Sequence, residues 1–167
     1  MADGSNIRMM STADAAAVMA IYAAGIATRN ATFETSLPEW EVWDARHLPH
    51  SRFVYTKGAQ VLGWAALSVV SAREAYAGVA ELSVYVDPQF AGKGIGSALM
   101  EHIIASSESM GIWTLFSSVF PENKATVKLH GKFGFRLIGS REKIARLDGV
   151  WRDTLLFERR SGIVGIH

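Results

Sequence analysis

Glu81 stands inside the apolar run Val79 to Val86, and a carboxylate placed there is the residue best suited to move a proton. Pleat alternation puts Ala80, Leu82, Val84 and Val86 on one strand face and Glu81, Ser83 and Tyr85 on the other. Glutamate is depleted in strands and costly to bury unpaired. Burial raises its proton affinity, which suits a general base working near neutral pH. The plainer alternative is a glutamate paired with Arg73 or Arg46, or solvated on an outer face.

The same strand runs out into Gly92-Lys93-Gly94-Ile95-Gly96-Ser97. Glycine permits positive φ and close approach of a ligand, and the unpaired N–H groups of a first helical turn carry the positive end of the dipole. Such a turn suits phosphate, and pyrophosphate when several consecutive amides converge, as Gly92 through Ser97 could. Two familiar phosphate motifs fail. A P-loop needs Ser or Thr after Gly-Lys, but Gly94 follows Lys93, and Asp87 stands where its first glycine belongs. A dinucleotide fingerprint needs a third glycine later than Gly96 and an acidic residue about 20 positions on, and has neither. A turn that merely joins strand to helix remains the alternative.

Further on, Asn123, Val127, His130 and Gly134 fall close to one helical stripe, beside Lys124, Lys128 and Lys132 at i, i+4, i+8. The lysines read as a solvated face, with attraction to phosphate as the lesser option. A histidine there is commonly a satisfied core or surface residue, and its use depends on what the glycine turn binds.

The elements that must position these groups follow from periodicity and breakers. Asn6 to Met10 predicts a first strand, and Ser11 or Thr12 caps a helix whose first turn holds Asp14. Ser36-Leu37-Pro38-Glu39 has capping-box spacing and predicts a second helix ending before Pro49. Arg52 to Lys57 and Val61 to Val70 flank Gly58-Ala59-Gln60 as a hairpin, and Val79 to Val86 is the next strand, stopped by Pro88. Ile95, Leu99, Ile103 and Met110 mark a helix stopped by Gly111, and Trp113 to Phe120 is an apolar strand. Asn123 to Lys132 is a helix closed by Gly134, and two short strands turn at Asp148-Gly149 before Phe157. This order describes a mixed α/β or α+β sheet with helices on its faces.

Composition narrows the function classes. At 167 residues, with no repeat or linker, one domain over residues 1–167 is expected, burying roughly 70% of its unfolded surface. Hydrophobic residues at 49% and charged residues at 20% exclude a disordered or collagen-like chain. With 17 Lys+Arg against 16 Asp+Glu, a net charge of +1 does not drive binding to nucleic acid or anionic lipid. Cysteine is absent, which excludes disulfides, thiolate metal sites and cysteine nucleophiles and fits a reducing compartment. The longest apolar run, Ala15 to Ala27, is shorter than the ~20 residues that cross a bilayer. Asp3 and Asp14 spoil the basic flank of a signal peptide, so a cytoplasmic location is expected.

Taken together, Glu81-Leu82-Ser83-Val84-Tyr85-Val86, Gly92-Lys93-Gly94-Ile95-Gly96-Ser97, and Asn123 with Leu129-His130-Gly131-Lys132-Phe133-Gly134-Phe135 resemble the GNAT superfamily of acyl-CoA N-acyltransferases. The similarity runs from Ile7 to about Phe157. Ala31-Thr32-Phe33-Glu34-Thr35 and Ser71-Ala72-Arg73-Glu74-Ala75-Tyr76 resemble its phosphinothricin and methionine sulfone/sulfoximine acetyltransferase branch. The resemblance implies a GNAT-type mixed, mostly antiparallel central sheet flanked by helices, with acetyl-CoA as acyl donor. It implies that Val84, Tyr85 and Val86 offer backbone groups to the pantetheine arm. Gly92, Lys93, Gly94, Ile95, Gly96 and Ser97 would hold the pyrophosphate, and Asn123 would bond the pantetheine near the sulfur. Glu81 sits where the family keeps its general base, and His130 where a tyrosine acid is common. One departure is Ala91, where Arg or Gln is usual, which removes a side-chain contact and implies weaker coenzyme binding.

For the acceptor, a guanidinium recognises planar or tetrahedral anions through two donors, so Arg73 is a candidate clamp. Phe33 and Tyr76 are candidates for an apolar wall, and Ser83 shares the face of Glu81. These point to the primary amine of a small amino acid analogue, and the branch implies a homodimer that completes the pocket. Alternatives are another amine (a polyamine, an aminoglycoside or a protein N-terminus) or a coenzyme-binding sensor without turnover. The carboxylate at position 81 speaks for catalysis.

Overall fold

The computed structural model describes residues 3–167. Seven strands form one sheet in the order β1-β2-β3-β4-β5-β7-β6. These are β1 (Ser5–Met9), β2 (Phe53–Lys57), β3 (Gln60–Val69), β4 (Val79–Val86), β5 (Thr114–Val119), β6 (Arg136–Leu147) and β7 (Val150–Arg160). Only β4 and β5 pair in parallel; every other pair is antiparallel. The four α-helices are α1 (Ala15–Ala27), α2 (Trp40–Arg46), α3 (Ile95–Ser109) and α4 (Lys124–Lys132). The mixed, mostly antiparallel sheet expected from the sequence is therefore present.

Strand alternation sorts the core into two layers. Ala65, Leu67, Ala80 and Leu82 pack against Leu99, Met100 and Ile103 of α3. Trp64 and Ala66, one residue out of phase, pack against Val18, Met19 and Ile21 of α1 and Trp43 of α2. Glu81, Ser83 and Tyr85 lie on this second face, since Ser83 pairs with Ala66 and Tyr85 with Trp64.

Local differences from the sequence expectations have physical causes. The box at Ser36 is not used: α2 starts at Trp40 with Glu39 as N-cap. A start at Trp40 lets Trp43 stack between Trp40 and His47, at 5.0 and 4.0 Å, and tertiary packing overrides the local capping signal. Asp14 does more than meet a dipole. Its Oδ2 accepts the Ser11 N–H at 2.8 Å, and the buried carboxylate takes two bonds from Arg8 at 2.8 Å each. The last two strands are long rather than short, and the hairpin ends outrun β5, which pairs only with Leu155 to Arg160 of β7.

The feature that positions the site is a divergence of strands. β4 pairs with β5 only from Val79 to Glu81, against Thr114 to Phe116, while β5 stays with β7 up to Val119. The Asp87 N–H donates to the Leu62 carbonyl at 2.8 Å. Alternation along an antiparallel pair then turns the N–H and C=O of Val84 and Val86 away from β3, into the gap.

Candidate active site

Two concavities meet at this gap. A cavity of about 290 Å³ is lined by Glu81, Ser83, Phe33, Ser117, His130 and Thr154, among others. A groove of about 470 Å³ runs past Val86, Gly92, Gly94, Gly96 and Ser97. Ala31, Val84, Tyr85, Asn123 and Thr126 border both. A ligand lying in the groove can therefore present one end to the cavity.

The groove presents backbone groups that suit an anion. Gly92 and Gly94 have φ of 75° and 79°, and nothing lies within 4 Å of where a Cβ would project. Gly94 is the N-cap of α3, and no side chain caps that helix, so its first-turn N–H groups are left for a ligand. By contrast, α4 is capped by its own residue, the Asn123 Oδ1 accepting the Thr126 N–H at 3.3 Å. Ile95 is buried and holds the turn to the core. Lys93 is exposed, its ammonium 5.2 Å from the ring centre of Phe90, which lines the groove. Ser97 Oγ accepts from Lys132 at 3.1 Å, which brings one lysine of the helical stripe to the turn while Lys124 and Lys128 remain exposed.

Glu81 is half-buried and, among the described residues, has no hydrogen bond or ion pair with another side chain. Burial raises its pKa above the ordinary carboxylate value, and the charge of Arg141 opposes that rise. Neither Arg73 nor Arg46 neutralises it. Tyr85 lies along the same face, stacked on Trp64 at 4.8 Å and edge-on to Tyr22 at 5.2 Å. Burial pushes its hydroxyl well above the usual range, so it stays neutral. Gly25 is required here, because a Cβ would stand 2.6 Å from the Tyr85 ring.

His130 is 4% exposed and stacks on Phe157 at 5.3 Å. Its Nδ1 lies 2.7 Å from the Thr126 carbonyl, which only accepts, so the proton is on Nδ1 and Nε2 carries the lone pair. Burial lowers the pKa of the ring against the raising effect of that carbonyl. His130 is therefore a neutral imidazole whose buried Nε2 has no partner in the protein. In this form the ring accepts a proton at Nε2 before it can donate one.

Asn123 has two duties besides any ligand: it caps α4 and donates from Nδ2 to the Asn30 carbonyl at 3.2 Å. The same loop is held by a residue the sequence did not single out. Arg152 donates to the Arg29 carbonyl at 3.0 Å, to Asn30 Oδ1 at 3.3 Å and to Glu122 at 3.2 Å, with its guanidinium 4.1 Å from the Phe120 ring centre. Phe33 packs edge-on against Phe120 at 4.8 Å, so one wall of the cavity is fastened to the turn after β5.

Arg73 and Tyr76 are not brought to the cavity within this chain. Both are exposed on the β3–β4 connection and face each other, 5.6 Å from guanidinium to ring centre. Also unforeseen were Ser117 and Thr154, at 2% and 4% exposure, which line the cavity and whose buried hydroxyls have no protein partner. A hydroxyl residue in an apolar strand was the sequence signal for Ser117, and Thr154, next to Arg152 and Asp153, had none.

Comparison with known proteins agrees with this geometry. The sequence matches the Acetyltransferase (GNAT) family over residues 21–135. A phosphinothricin N-acetyltransferase of Alcaligenes faecalis is 32% identical over 162 residues, covering 92% of this chain and 81% of its own length. An L-methionine sulfoximine/L-methionine sulfone acetyltransferase of Pseudomonas paraeruginosa is 27% identical, covering 89% of this chain and 90% of its own. The crystal structure of a GNAT superfamily phosphinothricin acetyltransferase (Pat) from Sinorhizobium meliloti, in complex with acetyl-CoA, has the same fold. Its TM-score is 0.88 at 24% identity, over 98% of this chain and 92% of that one.

Proposed function

This chain belongs to the GNAT acetyltransferase family and uses acetyl-CoA, and we propose that it acetylates the primary amine of a small amino acid analogue of the phosphinothricin or methionine sulfone/sulfoximine kind. The observation that carries the reading is the junction of groove and cavity along β4, with an unpaired Glu81 on the cavity side. The names of the relatives supply the substrate class.

Acetyl-CoA supplies an acetyl group already activated as a thioester. The uncapped turn at Gly94 suits its pyrophosphate, and the free N–H and C=O groups of Val84 and Val86 suit its amide-bearing arm. An ammonium has no lone pair for attack, so Glu81 first accepts a proton from the acceptor. The Val84 N–H, turned into the gap, is a preplaced donor for charge developing on the acyl oxygen. His130 Nε2 takes the second proton that the nitrogen loses on bonding to carbon, and returns it to the departing sulfur. Direct transfer needs both substrates bound side by side and no covalent enzyme intermediate, consistent with a chain that has no cysteine. Among the described residues no helix is long and apolar enough to cross a membrane.

We further propose a homodimer, on the branch resemblance and on the placement of Arg73. From outside its own cavity, Arg73 reaches an acceptor only in the cavity of a second copy. Sedimentation of the purified chain tests this, and a monomer at all concentrations refutes it. A polyamine acceptor has one observation in favour: among the described residues, Glu34 and Glu81 line the cavity and no lysine or arginine does. Free-thiol release from acetyl-CoA in the presence of phosphinothricin, methionine sulfone, methionine sulfoximine and spermidine decides between them. Turnover with the amino acid analogues supports the proposal; turnover with spermidine alone replaces it; coenzyme binding without turnover of any amine identifies a sensor.

A further inference from the structure

The acceptor proposed above carries a carboxylate on the carbon that bears its amine, so a cation must stand close to Glu81 to hold it. Arg73 is not in the cavity of this chain. Arg141 does not line the cavity either, but it pairs across the β6–β7 ladder with Thr154, which does, and its charge acts on Glu81. Among the described residues it makes no ion pair or hydrogen bond, and it is exposed on β6.

Strand register places Arg141 more closely. It is the partner of Thr154 across the β6–β7 pair, and directly opposed residues share a sheet face with Cβ atoms about 5 Å apart. Glu81 pairs with Phe116, Phe116 with Glu158, and Thr154 lies two alternations along β7 from Glu158. Glu81, Thr154 and Arg141 therefore look out on one face. Thr154 is 4% exposed, lines the cavity, and its Oγ1 has no partner in the protein. A buried hydroxyl left unpaired costs stability, and it is retained here beside an uncommitted guanidinium.

We propose that Arg141 and Thr154 form the carboxylate subsite for the acceptor, the guanidinium donating at the rim and the hydroxyl from the wall. The inference rests on the amino acid reading of the acceptor and places an anion clamp on the final hairpin of the same chain, beside any contact that Arg73 of a second copy makes. A carboxylate has two oxygens and accepts from both donors at once. Ser117 and His130 line the same cavity from the α4 side, Ser117 pairing with Phe157 on which His130 stacks, and so stand apart from Thr154 and Arg141.

The test compares methionine sulfone with its α-carboxamide, which keeps the amine and side chain and removes only the negative charge. Turnover and calorimetric binding, with coenzyme A present, are read for the wild type, Arg141→Gln, Arg141→Lys, Thr154→Val and Arg73→Gln. Arg141→Gln is expected to raise KM and Kd for the acid about tenfold or more, with the amide nearly unaffected and kcat within about twofold. Arg141→Lys recovers part of the loss. Thr154→Val raises KM for the acid and also raises the Tm of the unliganded protein, since the unpaired hydroxyl is gone. Equal losses for acid and amide, or an unchanged acid KM in both variants, overturn the subsite. A selective loss in Arg73→Gln alone gives the clamp to a second copy. If the acid binds selectively to Arg141 but no acetyl group is transferred, the transferase reading falls and the subsite stands.

Discussion

Along the groove, the groups that face a ligand are the N–H and C=O of Val84 and Val86 and the first-turn amides after Gly94. In the cavity they are side chains: Glu81, Thr154, Ser117 and His130. The two regions adjoin, yet they constrain sequence differently. A backbone site cares which residues permit the conformation, so it writes glycine into the chain. A side-chain site cares about a few functional atoms, and it draws them from β4, β5, α4 and β7, elements far apart in sequence. Substitutions should therefore be severe at cavity side chains, confined to positive-φ glycines along the groove, and mild at the valines between.

The largest effect is expected at Glu81. Glu81→Gln keeps the shape and removes the proton acceptor, and general-base contributions are typically about 10²–10⁴-fold in rate. At neutral pH the loss in kcat/KM should fall in that range. It should shrink at alkaline pH, where the amine is already neutral. In the wild type the base works only when ionised, and burial raises its pKa against the pull of Arg141. Activity should accordingly fall as pH drops, with a midpoint above that of an ordinary glutamate. Unchanged activity of the glutamine variant at neutral pH would remove Glu81 from the mechanism.

In the groove, Gly94→Ala is the informative change. Space for the methyl is open, so crowding plays no part, but φ of 79° costs an L-residue roughly 1–2 kcal/mol. The turn should relax away from its anion-binding form. The expected result is a KM for acetyl-CoA up by about tenfold, an acceptor KM that barely moves, and a small drop in Tm. A loss shared equally by both substrates would break the division between groove and cavity.

How far each region was legible follows the same division. Glu81 stood out as a charge in an apolar run, and the glycine turn as three glycines at alternate positions. The β4 edge was implied by the family resemblance, and which of its groups face the gap follows from the β3–β4 register and the Asp87 N–H on the Leu62 carbonyl. Thr154 and Arg141 were not legible, because what unites them is a register between β6 and β7 that includes shifts after Leu137 and Arg141. Ser36 misled for the complementary reason. Its capping box is a sound local signal, and the stacking of Trp43 on Trp40 and His47 sets the helix start instead. The tautomer of His130 needed one atom's partner, the Thr126 carbonyl, to fix which nitrogen carries the lone pair.

Arg152 should give an intermediate effect, and one that crosses the boundary. It fastens Arg29 and Asn30 to Glu122 and Phe120, and the loop it holds borders the groove at Thr28 and Asn30 and the cavity at Phe33 and Glu34. Arg152→Ala removes those bonds and the packing on Phe120 together, leaving the loop free to move. KM for donor and acceptor should rise together by roughly three- to tenfold, with kcat less affected. Measured KM values that move for one substrate only would place Arg152 on that side of the gap.

The smallest effect is expected at Val86, and it is the sharpest check on a backbone-built groove. Its N–H and C=O face the gap while its side chain points to α3, packed against the core cluster. Val86→Ala leaves the backbone donors and acceptors in place, so KM for acetyl-CoA should change by less than about twofold. The cost should appear in stability instead, about 1–2 kcal/mol for the lost methyl groups of a half-buried valine. Val86→Pro makes the contrast, since it removes the N–H while keeping an apolar side chain. If alanine raised the donor KM as much as proline did, the valine side chain and not the strand edge would be the binding element.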